Sequence, residues 1–230
     1  LALQLLLETA AEICSVALCE DKEIISLRTS SEPRVHASAL AVFVEEVLLE
    51  NKITVRDLDA VAVSKGPGSY TGLRIGVATA KGLCYASGKP LIAIDTLQSM
   101  AINYLQKHPE TEAGTLLVPM LDARRDEVYA AAYDLNGDMV LPVAAVILNE
   151  DSYPELQDRK VIVIGDGALK AEKLISQNRG FSYDAIFRHS AAGMAGPAYD
   201  KFMTKDFEDV AYFEPFYLKE FAGAVPPSSK

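Results

Sequence analysis

The apolar positions of the chain fall into short runs separated by polar turns, and the runs alternate in type. Leu1 to Glu8, Ile13 to Leu18 and Glu23 to Thr29 are three successive apolar stretches joined at Thr9–Glu12 and Glu20–Lys22, the pattern of a β-meander. Val35 to Leu49 has the length and composition of a helix, and Asn51 is a suitable stop. Ala60 to Val63 is uncharged and β-branched, which predicts a strand buried on both faces. After Pro90 a short strand at Leu91–Ile94 leads into a helix that ends near Lys107, with Asp95 or Thr96 as its cap. Beyond the polar, proline- and glycine-containing stretch 108–114 the strand pattern returns at Leu116–Leu121, Val128–Tyr133 and Met139–Leu148. Asn136-Gly137 marks a hairpin, and Pro142 places the third of these strands at an edge. Tyr153–Lys160 reads as a short helix, Val161–Ile164 as a strand, and Ala168–Ser176 as a helix opened by Gly165-Asp166-Gly167. Ala191–Phe202 reads as a helix interrupted near Gly196-Pro197.

The stretch with most chemistry is the turn from the 60–63 strand into the following helix. Gly66 and Gly68 admit backbone angles closed to other residues, Pro67 fixes its own φ, and Ser69 or Thr71 can cap the helix. Such a loop can hold an anion on its N–H groups or can be a plain tight turn. It lacks the Gly-Lys-Ser/Thr of one phosphate loop and the third glycine of the dinucleotide fingerprint. Gly72, Gly76 and Ala80 then recur every fourth residue and line one helix face, against either the chain's own sheet or a partner helix. Helix 35–49 has apolar residues on more than one side. Together the two helices suggest a docking face carried by Leu40, Phe43, Val44, Val47, Gly72, Ile75, Gly76, Thr79 and Ala80.

Composition narrows the class. With 230 residues, half of them hydrophobic, the chain can build one large domain or two small ones, and no apolar run approaches a membrane span. Leu1–Leu7 lacks a basic flank and a cleavage site and is expected to be a strand, not a signal peptide. A net charge of −10 argues against unaided binding of nucleic acid. Cys14, Cys19 and Cys84 have no metal-ligand spacing and fit buried thiols in a reducing compartment. His36, His108 and His189 form no paired motif, so no metal site is expected.

Lys65 to Gly76, KGPGSYTGLRIG, resembles the signature of the TsaB family. The Asp122-Ala123-Arg124-Arg125 segment and the closing Pro215-Phe216-Tyr217-Leu218 resemble further parts of it, and the aromatic stretch 211–221 reads as an anchoring cluster, with a frayed tail after it. The resemblance implies an actin-like, RNase H-like α/β fold of two subdomains, 1–107 and 108–230, the second smaller and degenerate. It also implies a non-catalytic cytoplasmic subunit for threonylcarbamoyladenosine modification of transfer RNAs reading ANN codons. That subunit would dimerise with the catalytic paralogue TsaD, work with a TsaE-like ATPase, meet transfer RNA only through the complex, and pair with itself when alone.

Two departures from the wider family bear on activity. The first turn, Glu8-Thr9-Ala10-Ala11-Glu12, has none of the glycines that hold phosphate in actin-like relatives. Thr96 and Met100 stand where TsaD carries the His-x-x-x-His of its metal site, and they are poor ligands for such a metal. No cofactor is therefore expected in the isolated chain, with an adenine nucleotide left for the interface of the complex. Any vestigial nucleotide or anion site would draw on Glu8, Thr9, Gly66, Gly68, Ser69, Arg124, Gly165, Asp166 and Gly167. The competing expectation is an independent enzyme of the same fold, an ATP-dependent phosphotransferase or a metalloprotease, for which no nucleophile or metal set is present. A homodimeric nucleotide sensor is a third.

Overall fold

A computed structural model describes residues 1–32, 36–149, 151–172 and 179–219. Three antiparallel strands, β1 (Leu3–Glu8), β2 (Cys14–Glu20) and β3 (Glu23–Ser30), open the first sheet. Helix α1 (His36–Glu50) crosses to β4 (Ala60–Gly66), which pairs parallel with β1. Helix α2 (Tyr70–Ser87) crosses to β5 (Leu91–Asp95), parallel to β4. The spatial order is β3-β2-β1-β4-β5. The central strands are fully buried, which is why they read as continuous apolar runs.

After α3 (Thr96–Lys107) the same topology is built again. Strands β6 (Leu116–Asp122), β7 (Glu127–Tyr133) and β8 (Met139–Ile147) form the meander, and β9 (Val161–Ile164) and β10 (Phe181–Asp184) add in parallel. The order β8-β7-β6-β9-β10 copies the first sheet strand for strand. Its crossovers are reduced. The expected helix at 153–160 is a single 3₁₀ turn, Pro154–Leu156, because Pro154 can open a turn but the residues after it supply only Leu156 to bury. The expected helix at 168–176 is a 3₁₀ segment, Asp166–Ala171, and residues 173–178 lie outside the described residues. β10 had no strong strand signal in FSYD, since only its first residue is buried. Pro142 does lie in an edge strand, β8, at a shift in its register with β7.

The helices bind the two halves together. α1 and α2 cover one face of the first sheet, with Leu40, Val44, Val47, Val77, Ala80 and Cys84 on Leu5, Leu7, Val61 and Val63. α3 is packed against the second sheet, where Leu97, Met100 and Tyr104 meet Leu117, Leu121 and Tyr133. The chain then returns. A 3₁₀ turn, Ala191–Met194, and helix α4 (Ala195–Thr204) cover the other face of the first sheet through Ala191, Met194, Ala195 and Ala198. The break in this segment falls at 194–195, just before the expected Gly196-Pro197, and Pro197 sits in the first helical turn where a missing N–H costs nothing.

Residues 208–219 form a strap that runs along the first half and ends with Lys219 paired to Glu127 of β7. Glu208 bridges to Leu91, the Phe216 N–H donates to the Lys65 carbonyl at 2.7 Å, and Lys81 Nζ donates to the carbonyls of Ala211 and Phe213. The aromatic stretch thus anchors as expected up to Lys219. Phe221 and the tail 223–230 lie outside the described residues, as does Val35. No described helix is long and apolar enough to cross a membrane.

Candidate docking face and the filled cleft

The glycine loop is satisfied by the chain itself. Ser69 caps α2 as expected, its hydroxyl accepting the Gly72 N–H at 3.2 Å, while its own N–H donates to the Ala10 carbonyl at 2.7 Å. The Gly66 N–H donates to Thr96 Oγ1, and the Thr9 hydroxyl donates to the Gly72 carbonyl at 2.8 Å. Two of the backbone donors at this helix start, the Ser69 and Gly72 N–H groups, are thus engaged within the chain. The glycines serve close approach: a β-carbon on Gly68 would strike the Ala10 carbonyl, one on Gly72 the Thr9 carbonyl, one on Gly76 the Thr9 hydroxyl. Gly66, at φ +120°, lies under the Phe216 carbonyl of the strap.

Glu8 ends β1 fully buried. One carboxylate oxygen accepts the Ala10 N–H at 2.6 Å and the Ser64 hydroxyl at 3.0 Å. The other stands 3.3 Å from Nε2 of buried His189, which precedes the 191–194 turn. An imidazole from the same polypeptide therefore stands on that side of the carboxylate.

The second glycine loop is occupied in the same way. Gly165 has φ +103°, and the space of its missing side chain is taken by the thioether methyl of Met100 and the Met120 carbonyl; Gly167 also packs on Met120. Thr96 and Met100 thus have packing work: one accepts the Gly66 N–H, and the other fills the Gly165 cradle. The Asp166 carboxylate accepts the Asp122 N–H at 3.1 Å. Its pKa is raised by burial and further by the nearby Asp122 and Glu12 carboxylates, with Arg188 opposing. Beside the second loop lies a cavity of about 10 Å³, lined among others by Glu12, Met100, Asp166, Arg188 and His189, and Arg188 bridges to Glu12 across 2.8 Å. That volume suits at most one water. Arg124 does not line it; Arg124 and Arg125 sit exposed on the β6–β7 turn with φ of 68° and 53°. Of the expected site residues the structure therefore brings Gly165 and Asp166 to this cavity, while Glu8 meets His189, Thr9, Gly68 and Ser69 pack together at the first turn, Gly66 lies under the strap and Gly167 on Met120.

The two-helix face also differs from the sequence reading in its residues. Leu40, Val44, Val47 and Ala80 are inside the core, and Gly72 and Gly76 face Thr9. These six cannot meet a partner helix in this structure. Phe43, Ile75 and Thr79 are half-buried at the margin. Exposed on α2 are Thr71, Arg74, Ala78, Gly82, Tyr85 and Ala86, and on α1 Val42 and Leu49 together with Glu45, Glu46 and Glu50. Tyr85 is 87% exposed, Leu49 68%, and nothing lies within 4 Å of a β-carbon built on Gly82. Small-residue spacing signalled a helix capable of close approach; it did not tell which of two small faces, Gly72/Gly76 or Ala78/Gly82, was the outer one.

Fold and site together define a duplicated α/β protein with tightly packed glycine loops and with exposed apolar side chains on its paired helices α1 and α2. The family model described as TsaD, tRNA N6-adenosine threonylcarbamoyltransferase, matches residues 24–219. The chain is 36% identical over 135 residues to the tRNA threonylcarbamoyladenosine biosynthesis protein TsaB of Escherichia coli, covering 58% of this chain and 56% of that one. With the TsaB protein of Buchnera aphidicola subsp. Schizaphis graminum it shares 30% over 175 residues, 74% of this chain and 80% of the relative. The solved structure of YeaZ from Pseudomonas aeruginosa superposes with a TM-score of 0.79 at 28% identity, over 95% of this chain and all of the other. The chain belongs to this family and, within it, to the TsaB/YeaZ proteins.

Proposed function

We propose that this chain is a non-catalytic subunit in threonylcarbamoyladenosine formation on transfer RNA, acting in the cytoplasm by dimerising with a TsaD-type transferase through the outer face of α1 and α2. The observation that carries the reading is the pairing of tightly packed glycine loops with exposed apolar side chains on α1 and α2. Chemistry on a nucleotide needs a roomy pocket, and the cavity beside the second glycine loop has about 10 Å³. A face of Val42, Leu49, Ala78, Gly82 and Tyr85, by contrast, suits a partner helix, because Ala78 and Gly82 allow two backbones to come close. The biosynthetic role follows the names of the TsaB relatives. A TsaE-like ATPase, an adenine nucleotide at the subunit interface, and transfer RNA held mainly by the other subunits belong to the same proposal, as does the division into subdomains near residue 108.

The test is the mass in solution of the chain alone and mixed with the TsaD homologue of the same organism, for wild type and for Ala78→Glu. Ala78 is exposed, so the variant should keep the wild-type circular dichroism. A heterodimer formed by wild type and lost in Ala78→Glu supports the proposal. A heterodimer that survives the substitution moves the interface elsewhere, and no complex at all removes the scaffold reading. Reconstituted threonylcarbamoyl transfer should follow the heterodimer and vanish with it.

A further inference from the structure

The outward stripe of α2 carries a single charge, Arg74. This exposed guanidinium is held from two sides. Its carbon lies 4.1 Å from the ring centroid of Tyr70, four residues earlier, and its Nε donates to the Tyr217 hydroxyl at 3.3 Å. The two tyrosine rings are themselves 4.9 Å apart. Tyr217 comes from the C-terminal strap, 143 positions away, and is fixed there by the Phe216–Lys65 backbone bond and by Lys81 on the Ala211 and Phe213 carbonyls. Among the described residues, Nη1 and Nη2 have no hydrogen-bond partner, so the terminal donors of the fork remain to be used.

We infer that Arg74 is the polar anchor of the docking face, taking a carboxylate from the partner protein, and that Tyr217 is its positioning residue. The inference rests on the docking reading above and adds what the partner must present. A long cation ordinarily loses rotamer freedom when it binds; here the ring and the hydroxyl have ordered it beforehand. A planar fork with two parallel donors matches a carboxylate, and arginine and tyrosine are the residue types that concentrate binding energy at interfaces. Electrostatics separates a protein partner from nucleic acid. On the neighbouring α1, Glu46 and Glu50 both bind Arg28, Glu45 is exposed beside them, and the chain carries −10 overall. A phosphate backbone laid over this face would be repelled by α1, whereas one acidic side chain on an otherwise apolar helix meets only Arg74.

The experiment measures affinity of the full chain for the TsaD homologue at about 50 and 300 mM salt, where screening differs strongly. Arg74→Gln should weaken binding about 30-fold at low salt, the scale of an interface hot spot, and flatten the salt dependence. Arg74→Lys should restore the salt dependence but little of the affinity, since a point cation lacks the fork. Tyr217→Phe should weaken binding a few-fold with the salt dependence kept, as the charge remains but its position loosens. Affinity unchanged in Arg74→Gln, or reduced with the salt dependence intact, overturns the inference and leaves the docking reading standing. Arg74-dependent binding of unmodified transfer RNA by the chain alone assigns the fork to phosphate and also overturns it. No complex with wild type overturns both.

Discussion

The hydroxyl of Thr9 occupies the position that a β-carbon on Gly76 would need, and the same hydroxyl donates to the Gly72 carbonyl at 2.8 Å. This contact makes α2 and the first turn of the chain one packed unit. Gly72→Ala and Gly76→Ala should each destabilise by about 1–3 kcal/mol, the range for overpacking, with Gly72 the worse because its neighbour is backbone and cannot rotate away. Gly82→Ala meets open space and should stabilise by about 0.5–1 kcal/mol, the ordinary helix preference of alanine. Urea unfolding of the three variants checks this; equal effects at all three sites would remove the assignment of inner and outer faces.

Glu8 and His189 join the end of β1 to the turn before α4, from opposite ends of the chain. Removing one member of a buried polar pair leaves the other without a neighbour of its kind, at a cost of about 1–3 kcal/mol. His189→Ala and Glu8→Ala should each lower stability on that scale, and the double variant should lose less than the sum, by about 1–3 kcal/mol. Additive losses would mean the two groups do not interact.

Asp166 gives the stability a pH dependence of unusual sign. Its carboxyl is raised from the ordinary aspartate value chiefly by partial burial, with the Asp122 and Glu12 carboxylates adding and the Asp122 N–H and Arg188 opposing. Between the unfolded and folded values the native state holds more protons than the unfolded state, so this group's contribution falls as pH rises through that window. Asp166→Asn keeps an acceptor for the Asp122 N–H and removes the charge. The stability of the variant relative to wild type should therefore grow as pH is raised from about 4 and then level off. A difference that stays flat across the range would show that burial does not act on this carboxyl.

The three cysteines are all buried and unpaired. Burial pushes the Cys14 thiol up to about 11, and Cys19 and Cys84 to about 12. At pH 8 the folded chain should react negligibly with a chromogenic disulfide reagent and release its thiols only on denaturation. Fast labelling of any one in the native protein would contradict its placement.

Much of the architecture could be read directly from the chain, because burial on both faces leaves a local record: the uncharged runs at Ala60–Val63, Leu91–Ile94 and Leu116–Leu121 are buried strands. The caps at Ser69 and Asp95 were equally local, since a side-chain acceptor works on N–H groups two or three residues ahead. Short, exposed elements left no such record. β10 buries one residue of four, and the 154–156 turn only Leu156.

The sequence by itself determined the buried strands, the long helices, the tight glycine loop and the presence of a helix with small faces, because each depends on neighbours within a few positions. It could not determine what each small residue faces. Only the tertiary structure set Thr9 against Gly72 and Gly76, Met100 into the cradle of Gly165, His189 beside Glu8, and Tyr217 onto Arg74. Each of those contacts joins residues from about 60 to 180 positions apart, and their pairing is decided by the order of strands in two sheets and the return of the chain across the first. A glycine states that something comes close; the fold decides what.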